Sequence, residues 1–450
     1  MKKLFGTDGV RGLANSDLTC ELAMQIGKAT ASALMLENKK CKHIIIGKDT
    51  RLSSSMLETA VASGICSMGT DVTLLGVVPT PTVAYLVKKH NADAGIMISA
   101  SHNPWMYNGI KIFGSDGMKV SDSIELLIEK LIHSGDVSGG MNPGTHVGEC
   151  RRSQTGKDDY CRYISSTCDI ALDGLKVLFD CANGSSGATA SNIFHASGSD
   201  CTIVNDFPDG VNINNQCGST FIENLCRQVT DGGYDVGFAF DGDADRVLAV
   251  DHLGNIVDGD KILAILSKHF MEKDMLVGNK VAGTVMSNLG FVKFCSENGI
   301  EMVQTGVGDR YVMEAMENEN LVLGGEQSGH TIIRNYQTTG DGQLTAIQIL
   351  KIMKETGKSL EQLSKVMRTY PQILKNITVD NGQKSWILDD DAVIKVIQMW
   401  ENKLKDNGRI LVRSSGTEPL IRVMVEGSDD SIINSCADEI SHVIKGRLSI

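Results

Sequence analysis

No apolar run in this 450-residue chain approaches the length that crosses a bilayer, and aromatic residues make up only 5% of it. The first absence excludes a membrane-spanning helix, which needs about 20 apolar residues. The second leaves little material for surfaces that stack nucleic-acid bases, and a net charge of −12 argues against general binding to nucleic acid or anionic membranes. Twelve cysteines are present, with no Cys-x-x-Cys pair and no histidine at zinc-type spacing, so reduced thiols in a cytoplasmic protein are expected. The start, MKKLFGTDGV, reaches Asp8 and Gly9 before any apolar region of signal-peptide length. Three catalytic signatures are also missing. The chain has no G-x-x-x-x-G-K-[ST], no G-x-G-x-x-G and no G-x-S-x-G, which argues against a P-loop enzyme, a standard dinucleotide site and a serine-hydrolase elbow.

What is present is a globular composition, 42% hydrophobic and 22% charged, at a length that suggests about three domains. Three segments repeat one order: a β-rich run, a polar glycine-containing loop, then a helix-compatible stretch ending at glycine. They begin at Lys42-His43-Ile44-Ile45-Ile46, at Leu175-Lys176-Val177-Leu178-Phe179 and at Met275-Leu276-Val277. Their continuous apolar strands predict sheets covered on both faces. Past Tyr370-Pro371 the pattern changes: Ile410–Val412 and Ile421–Val425 read as strands around RSSGTEPL, followed by a helix with Ile432, Cys436, Ile440, Val443 and Ile444 on one stripe. The expected fold class is α/β, with three consecutive α/β domains (1–153, 154–256, 257–369) and a smaller C-terminal α+β domain (370–450). In ligand-binding α/β sheets the loops after the strands form the crevice, so function is sought there.

FAFDGDADRVLAV sets Asp241, Asp243 and Asp245 between two apolar runs. Carboxylates so close repel one another, and a hard divalent cation is the usual compensation. An EF-hand fails, because its glycine position holds Arg246 and its glutamate position holds His252; with three protein oxygens at hand, Mg²⁺ completed by water and phosphate fits better. A solvated acidic turn is the alternative reading. Arg413-Ser414-Ser415-Gly416-Thr417-Glu418-Pro419, with Arg422 beyond, offers the cations, hydroxyls and free amides that a phosphate dianion needs, although a plain β-turn would also use Ser and Gly. Gly324-Gly325-Glu326-Gln327-Ser328-Gly329-His330 suits sugar hydroxyls or amines, yet by itself a surface loop is the commoner meaning of such a stretch, and His330 could equally be structural. Gly6–Gly12 with Arg11, and Gly47-Lys48-Asp49-Thr50-Arg51, are weak signals alone. Ser101, in SASHNP, would be an ordinary loop serine by itself. Phosphoryl transfer to it requires a metal, cations around the phosphoryl group and a grip on a remote phosphate; the acidic loop, Lys111, Arg11, Arg246 and the Arg413 loop supply these.

Taken in order, FGTDGVRG, GKDTR, ISASHNPxxxNGIK, DGDADR, GGEQSGH and RSSGTEPLIRVMVEG resemble the α-D-phosphohexomutase superfamily along nearly the whole chain. With PDGVNINNQCGST they are most similar to its bacterial phosphoglucosamine mutase branch. The resemblance implies four domains around a central cleft and an active serine that carries a phosphate, here Ser101. It implies Mg²⁺ held by Ser101, Asp241, Asp243 and Asp245, and transfer aided by Arg11, Lys111, Arg246 and His330, with Lys111 or His330 moving the proton. Glu326 and Ser328 would contact the sugar; Arg413, Ser415, Gly416, Thr417 and Arg422 would grip the phosphate that does not react. The implied activity interconverts glucosamine 6-phosphate and glucosamine 1-phosphate through glucosamine 1,6-bisphosphate, for UDP-N-acetylglucosamine synthesis. The partner is a small sugar phosphate rather than nucleic acid or membrane, and the chain is expected as monomer or homodimer. Two positions depart from relatives: Trp105-Met106-Tyr107 follows the serine loop where FYD is frequent, and Ser414 replaces a common Lys or Pro. A hexose phosphate mutase, a non-catalytic sugar-phosphate sensor and a metal-dependent phosphatase are the rival readings.

Overall fold

Ile44, Ile45 and Ile46 are consecutive and all buried, which a strand allows only when both faces of its sheet are covered. In the computed structural model, which describes residues 4–6, 8–38, 41–135, 146–415 and 419–448, they lie in the strand His43–Lys48. Ile44 and Ile46 join a core with the helices Cys20–Asn38 and Ser54–Ser67, while Ile45 packs against Thr80–Lys89 on the opposite face. The sheet has seven strands, in the order Phe5–Gly6, Gly9–Leu13, Tyr107–Gly114, Ala94–Ile98, His43–Lys48, Asp71–Val77, Cys150–Arg152. His43–Lys48 runs parallel to both neighbours, and Tyr107–Gly114 returns antiparallel to Ala94–Ile98.

A second sheet orders Ile256–Val257, Val247–Asp251, Val236–Phe240, Lys176–Asp180 and Asp200–Val204. Its last three strands are parallel, and Val236–Phe240 turns back antiparallel into Val247–Asp251. A third sheet orders Glu301–Thr305, Lys280–Thr284, Leu323–Gly325 and Thr331–Ile333. Here one expectation fails. Met275-Leu276-Val277 is no strand: Gly278 and Asn279 take φ of 64° and 52°, and the strand begins only at Lys280. Two successive left-handed residues turn the chain away from extended geometry, so the apolar run ends in a turn with Leu276 buried.

The chain divides into two compact units: Met1–Met286 with Ile300–Val366, and Ser287–Gly299 with Met367–Ile450. The second is built on an antiparallel sheet ordered Gln372–Thr378, Leu420–Gly427, Gly408–Ser414. The helices Asp391–Leu404 and Asp430–Leu448 close its core. The buried stripe of the last helix is Ile433, Cys436, Ala437, Ile440 and Ile444; Ile432 is 37% exposed, one position off the face expected for it. In the same unit Glu426 is fully buried, accepting from Arg409 Nε at 3.0 Å and from the amide of Leu289 at 3.1 Å. Among the described residues no helix is long and apolar enough to cross a membrane.

Candidate functional site

In the first unit, the loops after Lys48, Val77 and Ile98 leave the carboxyl ends of three mutually parallel strands, where such sheets open a crevice. DGDADR fills the turn between Val236–Phe240 and Val247–Asp251 and meets those loops, with the amide of Thr80 donating to the Asp243 carbonyl at 2.9 Å. The segment 99–106 is held between two antiparallel strands whose ends fix its reach.

Ser101, expected as the reacting residue, is buried and donates from Oγ to Asp241 Oδ2 at 2.6 Å. Around it are Asp243 and Asp245, also buried, and each of the three carboxylates offers an oxygen within 4.8 Å of the other two. Lys111, itself buried, donates to Asp243 at 2.8 Å and to Asp245 at 3.2 Å, and lies 3.0 Å from Asp8. Thr80 Oγ1 donates to the same oxygen of Asp243 at 2.6 Å. One oxygen of Asp243 and one of Asp245 nevertheless have no hydrogen-bond donor. Buried carboxylate oxygens without donors are costly unless a cation occupies the space between them. The donor set, all oxygen, suits a hard divalent ion such as Mg²⁺.

The charges settle unevenly over this cluster. Burial, then Asp245 and Asp243, raise the Asp241 carboxyl well above the usual range. Burial also opposes ionisation of Asp245, but Lys111, His330 and Arg246 outweigh it and hold Asp245 well below that range. Lys111 is desolvated too, yet Asp243, Asp245 and Asp8 push its ammonium well above its ordinary value, so it stays charged. Arg246 sends Nη1 to within 3.2 Å of His102 Nδ1, and that ring nitrogen is 3.4 Å from Ser101 Oγ. Burial, then Arg246 and Arg11, bring His102 down to about 4 against the pull of Asp245 and Asp243. His102 is therefore a neutral acceptor at neutral pH.

Arg11 pairs with Asp8 and donates to Asn103 Oδ1 at 3.4 Å. His330 is buried, with Nδ1 3.8 Å from Asp245 and Nε2 accepting the amide of Gly340 at 3.1 Å. Burial disfavours its charged form, but Asp245, Asp309 and Glu326 raise its pKa above the ordinary value. The Gly340 amide pulls the other way, because a proton on Nε2 would set two donors face to face. A Cβ at residue 340 would fall within 2.6 Å of three ring atoms, so glycine lets the backbone lie against the imidazole. Glu326 is mostly buried and accepts the Gly308 amide at 3.1 Å, whereas Ser328 is exposed on the same loop.

In the second unit, Arg413 and Arg422 are direct cross-strand partners, which sets both guanidiniums on one face of the sheet. Burial, then Arg422, lower the Arg413 pKa. Ser415 is buried at the start of the loop; Gly416 and Thr417 lie outside the described residues.

Several participants escaped the sequence reading. Lys119 joins Asp8 to Asp309 by two ion pairs, and Asp309 Oδ2 is 3.9 Å from His330 Nε2. Asp8 belongs to the glycine-rich start already noticed, but lone residues such as Lys119 and Asp309 carry no local signal. Asp49 and Arg51, from GKDTR, form a wholly buried pair behind Ser101. A charged pair shortly after the apolar run Ile44-Ile45-Ile46 was the clue available.

Models of the phosphoglucomutase/phosphomannomutase family match along the chain: alpha/beta/alpha domain I at residues 2–138, domain II at 158–254, domain III at 258–370 and the C-terminal domain at 374–443. The phosphoglucosamine mutase of Acetivibrio thermocellus is 49% identical over 448 residues, covering 100% of both chains. Among solved structures, a phosphoglucomutase/phosphomannomutase family protein of Burkholderia thailandensis is similar at a TM-score of 0.82 and 23% identity, over 99% of this chain and 97% of its own. Aspergillus fumigatus N-acetylphosphoglucosamine mutase, in complex with GlcNAc-6P and magnesium, is similar at a TM-score of 0.67 and 15% identity, over 99% and 96% of the two chains.

Proposed function

The chain belongs to the phosphoglucomutase/phosphomannomutase family, and on that premise we propose that it interconverts glucosamine 6-phosphate and glucosamine 1-phosphate, using Ser101 as phosphoryl carrier. The observation that carries this reading is the Ser101 hydroxyl, 2.6 Å from Asp241 within a buried carboxylate trio that keeps two oxygens without donors. Near-identity in length with a phosphoglucosamine mutase, at 49% identity, favours the amino sugar over a plain hexose.

Asp241, Asp243 and Asp245, with an oxygen on Ser101, would hold Mg²⁺. When bound, the ion neutralises charge on the transferring phosphoryl group. Phospho-Ser101 gives its phosphoryl group to the free hydroxyl of the sugar: the P–Oγ bond breaks as the new P–O bond forms. The sugar hydroxyl loses its proton and the serine oxygen regains one. Lys111, kept charged by three carboxylates, stabilises the phosphoryl oxygens together with Arg11 and Arg246, and Lys111 or His330 moves the proton. The resulting 1,6-bisphosphate turns over and returns its other phosphoryl group to Ser101. Glu326 and Ser328 recognise the sugar, while Arg413, Ser415, Gly416, Thr417 and Arg422 hold whichever phosphate is not reacting. The cysteines, none of them in a disulfide, fit a cytoplasmic enzyme, and the amino-sugar phosphate formed would supply UDP-N-acetylglucosamine synthesis.

A coupled mutase assay tests this, with Mg²⁺, catalytic sugar 1,6-bisphosphate, and glucosamine 6-phosphate, mannose 1-phosphate and glucose 1-phosphate offered at equal concentration. Turnover fastest on the glucosamine phosphate and abolished in Ser101→Ala is the expected result. Fastest turnover on a hexose phosphate would overturn the substrate, and full activity in Ser101→Ala would overturn the mechanism.

A further inference from the structure

Ser101 has φ of 53°, a left-handed conformation that residues other than Gly, Asn and Asp seldom adopt. Such a conformation persists only where its surroundings enforce it. Both backbone polar groups of Ser101 lead back to one buried carboxylate, Asp49. The Ser101 amide donates to Ser99 Oγ at 2.9 Å, and Ser99 Oγ donates to Asp49 Oδ2 at 2.7 Å. The Ser101 carbonyl accepts from Arg51 Nη2 at 2.7 Å, and Arg51 Nε donates to the same Asp49 oxygen at 2.8 Å. Arg51 Nη1 also holds the Pro104 carbonyl at 2.6 Å, so both ends of the loop are gripped by one planar guanidinium. The other oxygen of Asp49 accepts the Arg51 amide at 3.0 Å and the Ser54 hydroxyl at 2.6 Å.

A second hand comes from PDGVNINNQCGST, a motif that the proposed chemistry does not use. Asn214, at φ of 56°, donates from Nδ2 to the carbonyls of Ser101 at 2.9 Å and of Asn103 at 3.3 Å. Its Oδ1 accepts from nothing, so donation to these two carbonyls is the whole polar role of the side chain. Gly242, between two of the carboxylates, completes the enclosure: a Cβ there would stand 2.6 Å from the Ser101 carbonyl oxygen and 2.9 Å from Asn214 Nδ2.

We propose that Asp49, Arg51 and Asn214 are positioning residues that lock the Ser101 backbone in its left-handed conformation and thereby aim Oγ at the carboxylate trio. The inference rests on the reading of Ser101 as phosphoryl carrier. None of the three touches the reacting atoms; each acts through the backbone of residues 99–104. An Oγ displaced by a fraction of an ångström binds sugar phosphate as before but transfers its phosphoryl group more slowly.

Asn214→Gly removes both donors while keeping a residue at ease with positive φ. It is compared with the wild type and with Ser101→Ala in the mutase assay, and by intact mass during phosphorylation of Ser101 by glucose 1,6-bisphosphate. The expected result is kcat lowered about 10- to 100-fold with KM unchanged, and Ser101 phosphorylated more slowly but to the same final extent. A variant that is merely less well folded would reach a lower extent at the normal rate, and that result overturns the proposal, as does wild-type kcat. Arg51→Lys, which keeps the charge beside Asp49 but loses the fork that spans two carbonyls, is read by the same assays, so the proposal stays testable if Asn214→Gly fails to fold. Activity retained in Ser101→Ala would instead sink the carrier reading itself, whatever Asn214→Gly does.

Discussion

The molecule concentrates like charge in two places, with opposite sign and opposite handling. In DGDADR three carboxylates are buried together, and the protein answers them with its own cation, since Lys111 donates to two of the three. In the C-terminal unit Arg413 faces Arg422 across a strand pair, and burial and that neighbour both lower its pKa. The acidic cluster is therefore preorganised and partly neutralised before anything binds. Even so, two carboxylate oxygens are left over for a cation. The arginine pair sets two like charges on one face of the sheet, where a bound anion would ease their repulsion. The difference would suit the two tasks of the proposed mechanism: a centre that holds reacting atoms in one geometry, and a grip that takes either phosphate of a substrate that turns around.

The sharpest break of this comparison is Asp241→Asn. It removes one carboxylate of the proposed metal site while keeping shape, and activity should fall by about 10²- to 10³-fold. Stability should move the other way when metal is absent. The fold raises the Asp241 pKa, so it binds that proton more tightly than the unfolded chain does, and stability is lost as pH rises above the ordinary carboxylate range. An amide never ionises, so the variant should melt about 1–3 °C higher at neutral pH without Mg²⁺ and gain less than the wild type when Mg²⁺ is added. A metal-free variant that melts lower than wild type would show that the cluster is not repulsive.

Arg413→Met tests the other side, with a smaller effect. If Arg413 grips phosphate as proposed, losing that charge-assisted contact should lower kcat/KM by about 10- to 100-fold. The guanidinium pKa is lowered in the fold, so its charge is not a source of stability, and the ligand-free melting temperature should not drop. Sugar phosphate should raise the melting temperature of the wild type more than that of the variant; equal shifts would remove Arg413 from the grip.

What the sequence made legible divides along similar lines. The three aspartates and Arg246 stand out because so many charges are unusual in a turn between apolar strands, whereas Ser101 and Lys111, the latter inside the strand Tyr107–Gly114, take their reading only from the loops that accompany them. The ion pairs from Lys119 to Asp8 and Asp309 were not readable. They join residues 111 and 190 positions apart, and nothing in a local window distinguishes a lysine that bridges two distant carboxylates from one in solvent. GKDTR was noticed but undervalued, since a short Asp/Arg pair looks like an ordinary turn until burial on both sides is known. The strand at Lys280–Thr284 was missed for a different reason: VAGT is less apolar than MLV, and only the left-handed pair at Gly278 and Asn279 moves the strand downstream.

His102 offers the finest test of the acidic side, because two fields compete there. Asp245 and Asp243 favour its charged form, while burial, Arg246 and Arg11 favour the neutral one and carry it to about 4. If the carboxylates dominated their surroundings as fully as a bare triad would, the imidazole would titrate above its ordinary value of about 6.5. Following the His102 ring protons by NMR in the metal-free protein should therefore show no titration between pH 8 and pH 5. The sign for stability is also fixed. With a depressed folded pKa, the unfolded chain takes up the proton first, so this histidine withdraws stability as pH falls from about 7 toward 4. In Arg246→Met the nearest opposing cation is gone, and the His102 pKa should rise toward its ordinary value. A titration in the wild type above pH 6 would mean that the carboxylate field, and not burial together with the guanidinium lying against the ring, governs the space beside Ser101.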